Sequence, residues 1–164
     1  MVEPAHRNLS PRSLRPLLAT IAGALLAGAC ATGATGGGGP APTALALTGM
    51  EWRLDHFQSS DDSIGTIRPA EGEVWTLLLN PDGSIAMGLF CNRGTGGWTS
   101  PDAQRERGEL TITPGASTMA ACPPSRLERL PADLAKVRSF VIADGKLHLN
   151  LMMDGGNYVW VPQR

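Results

Sequence analysis

Lysine is almost missing from this chain of 164 residues: Lys136 and Lys146 are the only two, and arginine supplies the other basic groups. We read that bias as genomic. Charge is also sparse, at 18% of residues with a formal net charge of -1, and no basic block occurs. Nucleic acid is therefore not expected as a partner. Three cysteines are too few for a disulfide-dense miniprotein. No sustained heptad pattern or series of long apolar runs is present, which excludes a coiled coil and a multi-pass membrane protein. Aromatic residues are only 5%, whereas there are 20 Gly and 13 Pro, a composition of many turns and short elements. The hydrophobic share of 42% fits a globular core, and the length allows one domain.

The first part of the chain does not read as fold. Arg7, Arg12 and Arg15 precede an apolar run from Leu17 to Leu26, which ends in Ala27-Gly28-Ala29-Cys30. Positive, then apolar, then small is the layout of a secretory signal peptide, assigned to 1–29. The apolar stretch is too short to cross a bilayer comfortably. Leu26-Ala27-Gly28-Ala29-Cys30 resembles a bacterial lipobox, with Ala27 where Leu is usual, in which the Cys thiol accepts a diacylglycerol. Ala27-Gly28-Ala29 is also an A-x-A site for ordinary signal peptidase, so secretion without lipid is the alternative. Residues 30–46 are rich in Gly, Ala, Thr and Pro and read as a lipidated Cys30 followed by a flexible tether. Ala31 after the cysteine resembles the outer-membrane sorting signal of lipoproteins. The expectation is a domain facing the periplasm, with the membrane as partner through its N-terminal lipid. Cleavage before Cys30 leaves eleven basic against fourteen acidic residues, a charge of -3. Such a chain gains nothing from anionic lipid, so attachment falls to the acyl chains.

Lipidation of Cys30 removes the odd cysteine and leaves Cys91 and Cys122. In an oxidising envelope that pair is expected to bond, closing a loop worth about 3 to 4 kcal/mol in the chain-entropy model. Free or redox-active thiols are the second possibility. A zinc site from Cys91, Cys122, His56 and His148 is a third, although no close ligand spacing specifies it.

The remainder, 47–164, is read as mainly β with one helix, an antiparallel, barrel-like curved sheet of seven or eight short strands. Met50 to Phe57 alternates apolar and polar residues at the strand period. Val74–Leu79 and Ser84–Cys91 flank Asn80-Pro81-Asp82-Gly83, a turn in which Pro presets φ and Gly supplies a positive one. Gly94-Thr95-Gly96-Gly97 leads into Trp98, and Gly108–Thr113 is a further strand. The end of the chain reads as a three-stranded meander: Ser139–Ala143, Lys146–Met153 and Tyr158–Val161, joined at Asp144-Gly145 and Asp154-Gly155-Gly156-Asn157. The helix is expected from Ser125 to Val137. Ser125 and Glu128 form its capping box, Leu127, Leu130, Leu134 and Val137 its apolar stripe, and Pro131 a kink.

These residues resemble the META domain, the HslJ-like family of bacterial envelope proteins. Leu47-Thr48-Gly49-Met50-Glu51-Trp52-Arg53-Leu54 matches its opening strand, and Gly88-Leu89-Phe90-Cys91-Asn92-Arg93 its Gly-Cys-Asn motif. Gly97-Trp98 follows, then Ser117-Thr118-Met119-Ala120-Ala121-Cys122, the Thr-Met-Ala-x-Cys signal. The similarity runs from about Leu47 to Pro162. Phe90 stands where the family has Gly, and one extra Ala precedes Cys122. The resemblance implies a small barrel-like domain with a packed helix, no cofactor and no catalytic chemistry. It also implies a link to heat-shock or stress response and drug tolerance.

Asn92 and Arg93 are the candidate surface-binding residues, with turn geometry as the structural role for Asn92. His148 is expected on the exposed polar face of its strand, and His56 near a strand end. Trp52, Trp75, Trp98 and Trp160 are assigned to the core or the barrel ends. Glu71 and Glu73 read as a solvated loop pair. The glycine-rich stretch at Gly94–Gly97 has no following Lys or helix and is not a phosphate loop. No metal ligand set and no catalytic constellation is assigned. The functional expectation is a non-enzymatic envelope lipoprotein that acts by binding or by structure, on an envelope protein or a small ligand. The alternatives are an inhibitor of an exported hydrolase and a Cys-dependent enzyme.

Overall fold

The structure, a computed structural model, describes residues 46–163. The signal peptide, Cys30 and nearly all of the tether lie outside the described residues. Ten strands occur here, more than the seven or eight expected: β1 Glu51–Gln58, β2 Thr66–Ile67, β3 Trp75–Leu79, β4 Ser84–Leu89, β5 Asn92–Thr99, β6 Arg107–Glu109, β7 Thr111–Ser117, β8 Val137–Ala143, β9 Lys146–Leu151 and β10 Asn157–Pro162. All pair antiparallel, in the order β6-β8-β9-β10-β1-β3-β4-β5-β7, with β2 on β1.

The two ends of that order are one stretch of chain. β6 and β7 are separated only by Leu110, whose N–H donates to Arg138 O at 3.1 Å. β6 pairs with β8 and β7 with β5, so the stretch bends the sheet round into a nearly closed, up-and-down barrel. Closure hides most of the edge groups that an open sheet would leave unpaired.

Alternation along the strands fills the interior. Trp52 and Leu54 on β1, Trp75, Leu77 and Leu79 on β3, and Leu147 and Leu149 on β9 are all buried, as are Phe140 and Trp160. Each such side chain contributes about 1.5 to 3 kcal/mol of burial. All four tryptophans belong to this core, as the sequence reading expected.

The turns follow their chemistry. Gly83 closes Asn80-Pro81-Asp82-Gly83 with a φ of 83°, and Asp82 Oδ1 accepts the Ser84 N–H at 2.9 Å. Asp144 and Gly145 both take positive φ, 51° and 73°, as a two-residue hairpin with matching twist requires.

The helix departs from expectation. It is a single turn, α1 Leu130–Asp133, continued by a 3₁₀ turn Leu134–Lys136. Pro131 starts it instead of kinking it, because the first turn has no use for the missing N–H. Ser125 Oγ takes the Leu127 N–H at 3.0 Å, which makes a local turn, and Arg129 occupies the N-cap position without a side-chain bond. The apolar stripe is nonetheless real: Leu127, Leu130, Leu134 and Val137 are all buried. Their spacing served a short plug followed by a strand.

Candidate functional site

Antiparallel order places the strand ends on two rims. One rim holds the starts of β3, β5, β8 and β10 and the ends of β1, β4, β7 and β9. It therefore carries loop 59–74, the Phe90-Cys91 turn, the helical segment 118–136 and loop 152–156. The other rim carries the Pro81-Asp82 and Asp144-Gly145 turns, the loop after β5, and the chain entry, where Trp52 Nε1 donates to Leu47 O at 3.3 Å.

Cys91 and Cys122 lie on the first rim and form a disulfide with Cα atoms 5.8 Å apart. That lies within the range such a bond needs. The two departures from the family pattern, Phe90 and the extra Ala, do not prevent it. Phe90 accepts a φ of 58° at the first position of the two-residue turn between β4 and β5. A left-handed conformation costs a non-glycine residue about 1 to 2 kcal/mol. In return the ring sits 6.2 Å from that of Trp75.

Asn92 does more than shape a turn. Its Oδ1 accepts the Ala120 N–H at 2.7 Å and the Thr118 hydroxyl at 2.8 Å. Its Nδ2 donates to Ala120 O at 3.1 Å and lies 3.0 Å from Cys122 Sγ. Thr118 N–H in turn donates to Arg93 O at 2.9 Å, and Arg93 N–H to Thr118 Oγ1 at 3.0 Å. The segment after β7 is thus stitched to the start of β5. Arg93 itself is exposed, on the outer wall.

Beneath this segment opens a cleft of about 530 Å³, walled by Trp75, Phe90, Asn92, Met119, Pro124 and Pro131 among others. The Trp75 indole N–H is buried and has no partner among the described residues. A smaller cleft of about 200 Å³ lies across the helical plug, beside Arg126, Arg129 and Tyr158. Asp133, 6% exposed, is the buried charge here. It accepts the Tyr158 hydroxyl at 2.9 Å and pairs with Lys136 at 2.9 Å. Burial first, and then the neighbouring Asp133 charge, drive the Tyr158 hydroxyl pKa far upward, so it stays protonated. The arrangement pins the plug to β10.

The histidines are elsewhere. His56 and His148 flank Val159 in the register of β1, β10 and β9, on the outer wall. His148 is half-buried and not exposed as expected, and its Nδ1 is 3.2 Å from Asn157 Nδ2. Close packing of its row accounts for this, since Val159 between the two rings is itself 3% exposed. The four residues of the zinc alternative are not brought together, and the two sulfurs are bonded to each other. Glu73 Oε2 accepts the Ala70 N–H at 3.2 Å within its loop, and Glu71 is exposed.

Sequence reasoning missed the apolar rim. Ile64, Val74, Met119 and Met153 are the exposed large hydrophobics among the described residues. All four lie in loops of the disulfide rim and none at the opposite one. Met119 is 93% exposed and Met153 81%. Val74 and Met153 read in the sequence as strand residues, whereas β3 begins only at Trp75 and β9 ends at Leu151, and it takes the topology to bring all four residues to one rim.

A model of the META domain matches residues 45–163. Among solved structures, a protein from Burkholderia xenovorans determined by NMR is similar, with a TM-score of 0.55 and 18% identity over 76% of this chain and 97% of the other. That likeness concerns the fold. A DUF4847 family protein from Bacteroides vulgatus aligns with a TM-score of 0.46 and 12% identity over 68% of this chain and 91% of that one. No curated protein matches the sequence.

Proposed function

The chain belongs to the META domain family, and from that premise we propose that it is a non-enzymatic lipoprotein of the bacterial envelope. Cys30 anchors it in the outer membrane, and the barrel serves stress or drug tolerance by docking an envelope component through its disulfide rim. The carrying observation is the confinement of Ile64, Val74, Met119 and Met153 to that rim. Exposed large apolar groups gathered on one face mark interaction surfaces. The polar groups of the rim support binding over catalysis. Asn92 spends its amide on Ala120 and Thr118, the cysteines are bonded, and Asp133 is tied to Tyr158 and Lys136. None of these is left as a nucleophile with a base beside it.

The test is a photo-crosslinking residue placed in intact cells at Met119, at Met153, or at Asp82 on the opposite rim. Adducts are expected from the first two positions only. Equal labelling from Asp82 would sink the reading. If the species captured is an exported hydrolase that loses activity on binding, the partner is an enzyme and the protein its inhibitor.

A further inference from the structure

Resting on the reading of this rim as a docking surface, we propose that it receives its partner as an added β-strand, an extended peptide segment paired to the open edge that runs from Gly115 to Ala121. β7 stands at the end of the strand order and has a strand partner, β5, on one side only. The 3₁₀ turn packs against β7, yet every residue from Gly115 to Ala121 is exposed.

The hydrogen bonds tell which way the backbone faces. In an extended segment, amides alternate between the two edges. Thr118 and Ala120 both turn inward, the first to Arg93 O at 2.9 Å and the second to Asn92 Oδ1 at 2.7 Å. The amides of Met119 and Ala121 therefore face away from β5, and among the described residues they have no partner.

Proteins usually blunt such an edge with a charge, a proline or a bulge. Here Pro114 falls before the exposed run, and the bulge against β5, between Pro114 and Ser117, takes up only its first two residues. The run itself, Gly-Ala-Ser-Thr-Met-Ala-Ala, carries neither charge nor proline. It ends at Cys122, where the disulfide and then Pro123 and Pro124 stop it. Asn92 and the disulfide hold the edge in place before any partner arrives, which lowers the ordering cost of binding. Main-chain pairing would supply affinity, and the cleft beside Met119 would select the incoming side chains. Continuity with the sheet thus points to a strand as occupant.

The mature chain, isolated from the envelope in detergent and labelled with nitrogen-15, is titrated with a synthetic peptide of alternating threonine and valine with a lysine at each end. Shift changes and slowed amide exchange are expected at Met119 and Ala121, while the inward amides of Thr118 and Ala120 keep their protection. Ala121→Pro removes one outward donor and should weaken binding about tenfold. Ala116→Lys, an exposed change that leaves every backbone donor in place, restores a gatekeeping charge and should also weaken it should the proline variant fail to fold. The inference is overturned if Met119 and Ala121 do not respond, or if Ala116→Lys binds the peptide unchanged. Concentration-dependent self-association that moves the same amides without peptide would overturn it in favour of a second copy of this chain. Crosslinks confined to Met119 and Met153 alongside a failed titration would remove the added strand and leave the docking rim standing. A positive titration with uniform crosslinks would do the reverse.

Discussion

Asn92 pairs with Ala120 as one strand residue pairs with another, its Oδ1 accepting the Ala120 N–H at 2.7 Å and its Nδ2 donating to Ala120 O at 3.1 Å. A side-chain amide here stands in for a missing stretch of ladder between β5 and the segment that follows β7. Asn92→Ala removes both bonds, together with the one from the Thr118 hydroxyl. The segment is exposed, so water replaces part of what is lost. The expected cost is about 1 to 2 kcal/mol in urea denaturation, with faster hydrogen exchange at the Ala120 amide. Asn92→Asp should cost at least as much, because a carboxylate then faces Ala120 O. Full stability in both variants would show that the amide clamp is incidental.

The disulfide closes the same junction across a sequence separation of 31 residues. Cys91→Ala with Cys122→Ala should lower stability by about 2 to 4 kcal/mol. Asn92 lies against Cys122 Sγ, so the two losses share a structure and should not add. A double-mutant cycle is expected to give a coupling of at least about 0.5 kcal/mol. Simple additivity would mean that bridge and clamp act separately.

The barrel was legible in the sequence where side chains and turns speak for themselves. Trp52 and Leu54, or Leu147 and Leu149, announce their faces by alternation, and Asp144-Gly145 announces its hairpin. The helix was misread because Leu127, Leu130, Leu134 and Val137 have helical spacing yet only the middle of that span is helical. Apolar spacing reports burial, and burial at a barrel end needs no regular helix. The stretch Gly94–Gly97 reads in the sequence as a connection into a strand but lies within β5, since glycine carries no strand signal. Asn92 and the cysteines were found by pattern. Ile64, Val74, Met119 and Met153 were not, because loops far apart in sequence become one rim only after the sheet has closed.

Glycine at position 96 reflects a close approach that the sequence could not show. A Cβ there would run into Thr113 O, and would meet Gly115 N at 3.0 Å. At Gly97 the nearest atom, Gly83 O, is 3.7 Å away, an ordinary contact. Gly96→Ala should therefore destabilise by about 1 to 3 kcal/mol, as overpacking does, by separating β5 from β7. Gly97→Ala should stay within about 0.5 kcal/mol of the parent. Thermal unfolding of the two variants side by side is the check, and similar midpoints would show that β7 yields freely at this point.

Membrane attachment is expected to depend on one thiol. Cys30→Ser should block lipid transfer and leave the protein unprocessed or free in the periplasmic fraction. In the proposed reading a diacylglycerol on that thiol would hold a protein of charge -3 that has no electrostatic reason to adhere. Fractionation, with mass measurement of the mature N-terminus, decides it. Normal maturation and unchanged membrane association in the variant would assign cleavage to the A-x-A site and make the protein a secreted one.

Stability should fall as pH drops below neutral, and His148 is the residue to watch. Burial in the outer wall first, then the positive charges of His56 and Lys146, hold its imidazole below the ordinary value, with Asp144 opposing them. The unfolded chain then takes up a proton more readily than the folded one. Its contribution is complete above the unfolded value of about 6.5 and is lost as pH falls through the lower, folded value. Asp55, on β1 across β10 from His148, behaves similarly at a lower pH. Burial works to raise its carboxyl but is outweighed by hydrogen bonds from His56 and Lys146 and by the charges of Lys146 and Arg68, which leave it below the usual range. That contribution is present above about 3.9 and disappears only beneath it. Two separate declines are therefore expected in the urea midpoint as pH is lowered, one beginning near 6.5 and one below 4. His148→Gln keeps the polar outer face and Asn157 as a neighbour but removes the titrating ring. It should flatten the first decline and leave the second intact. A variant that keeps the full slope between pH 7 and 5 would mean that the loss of stability comes from another group.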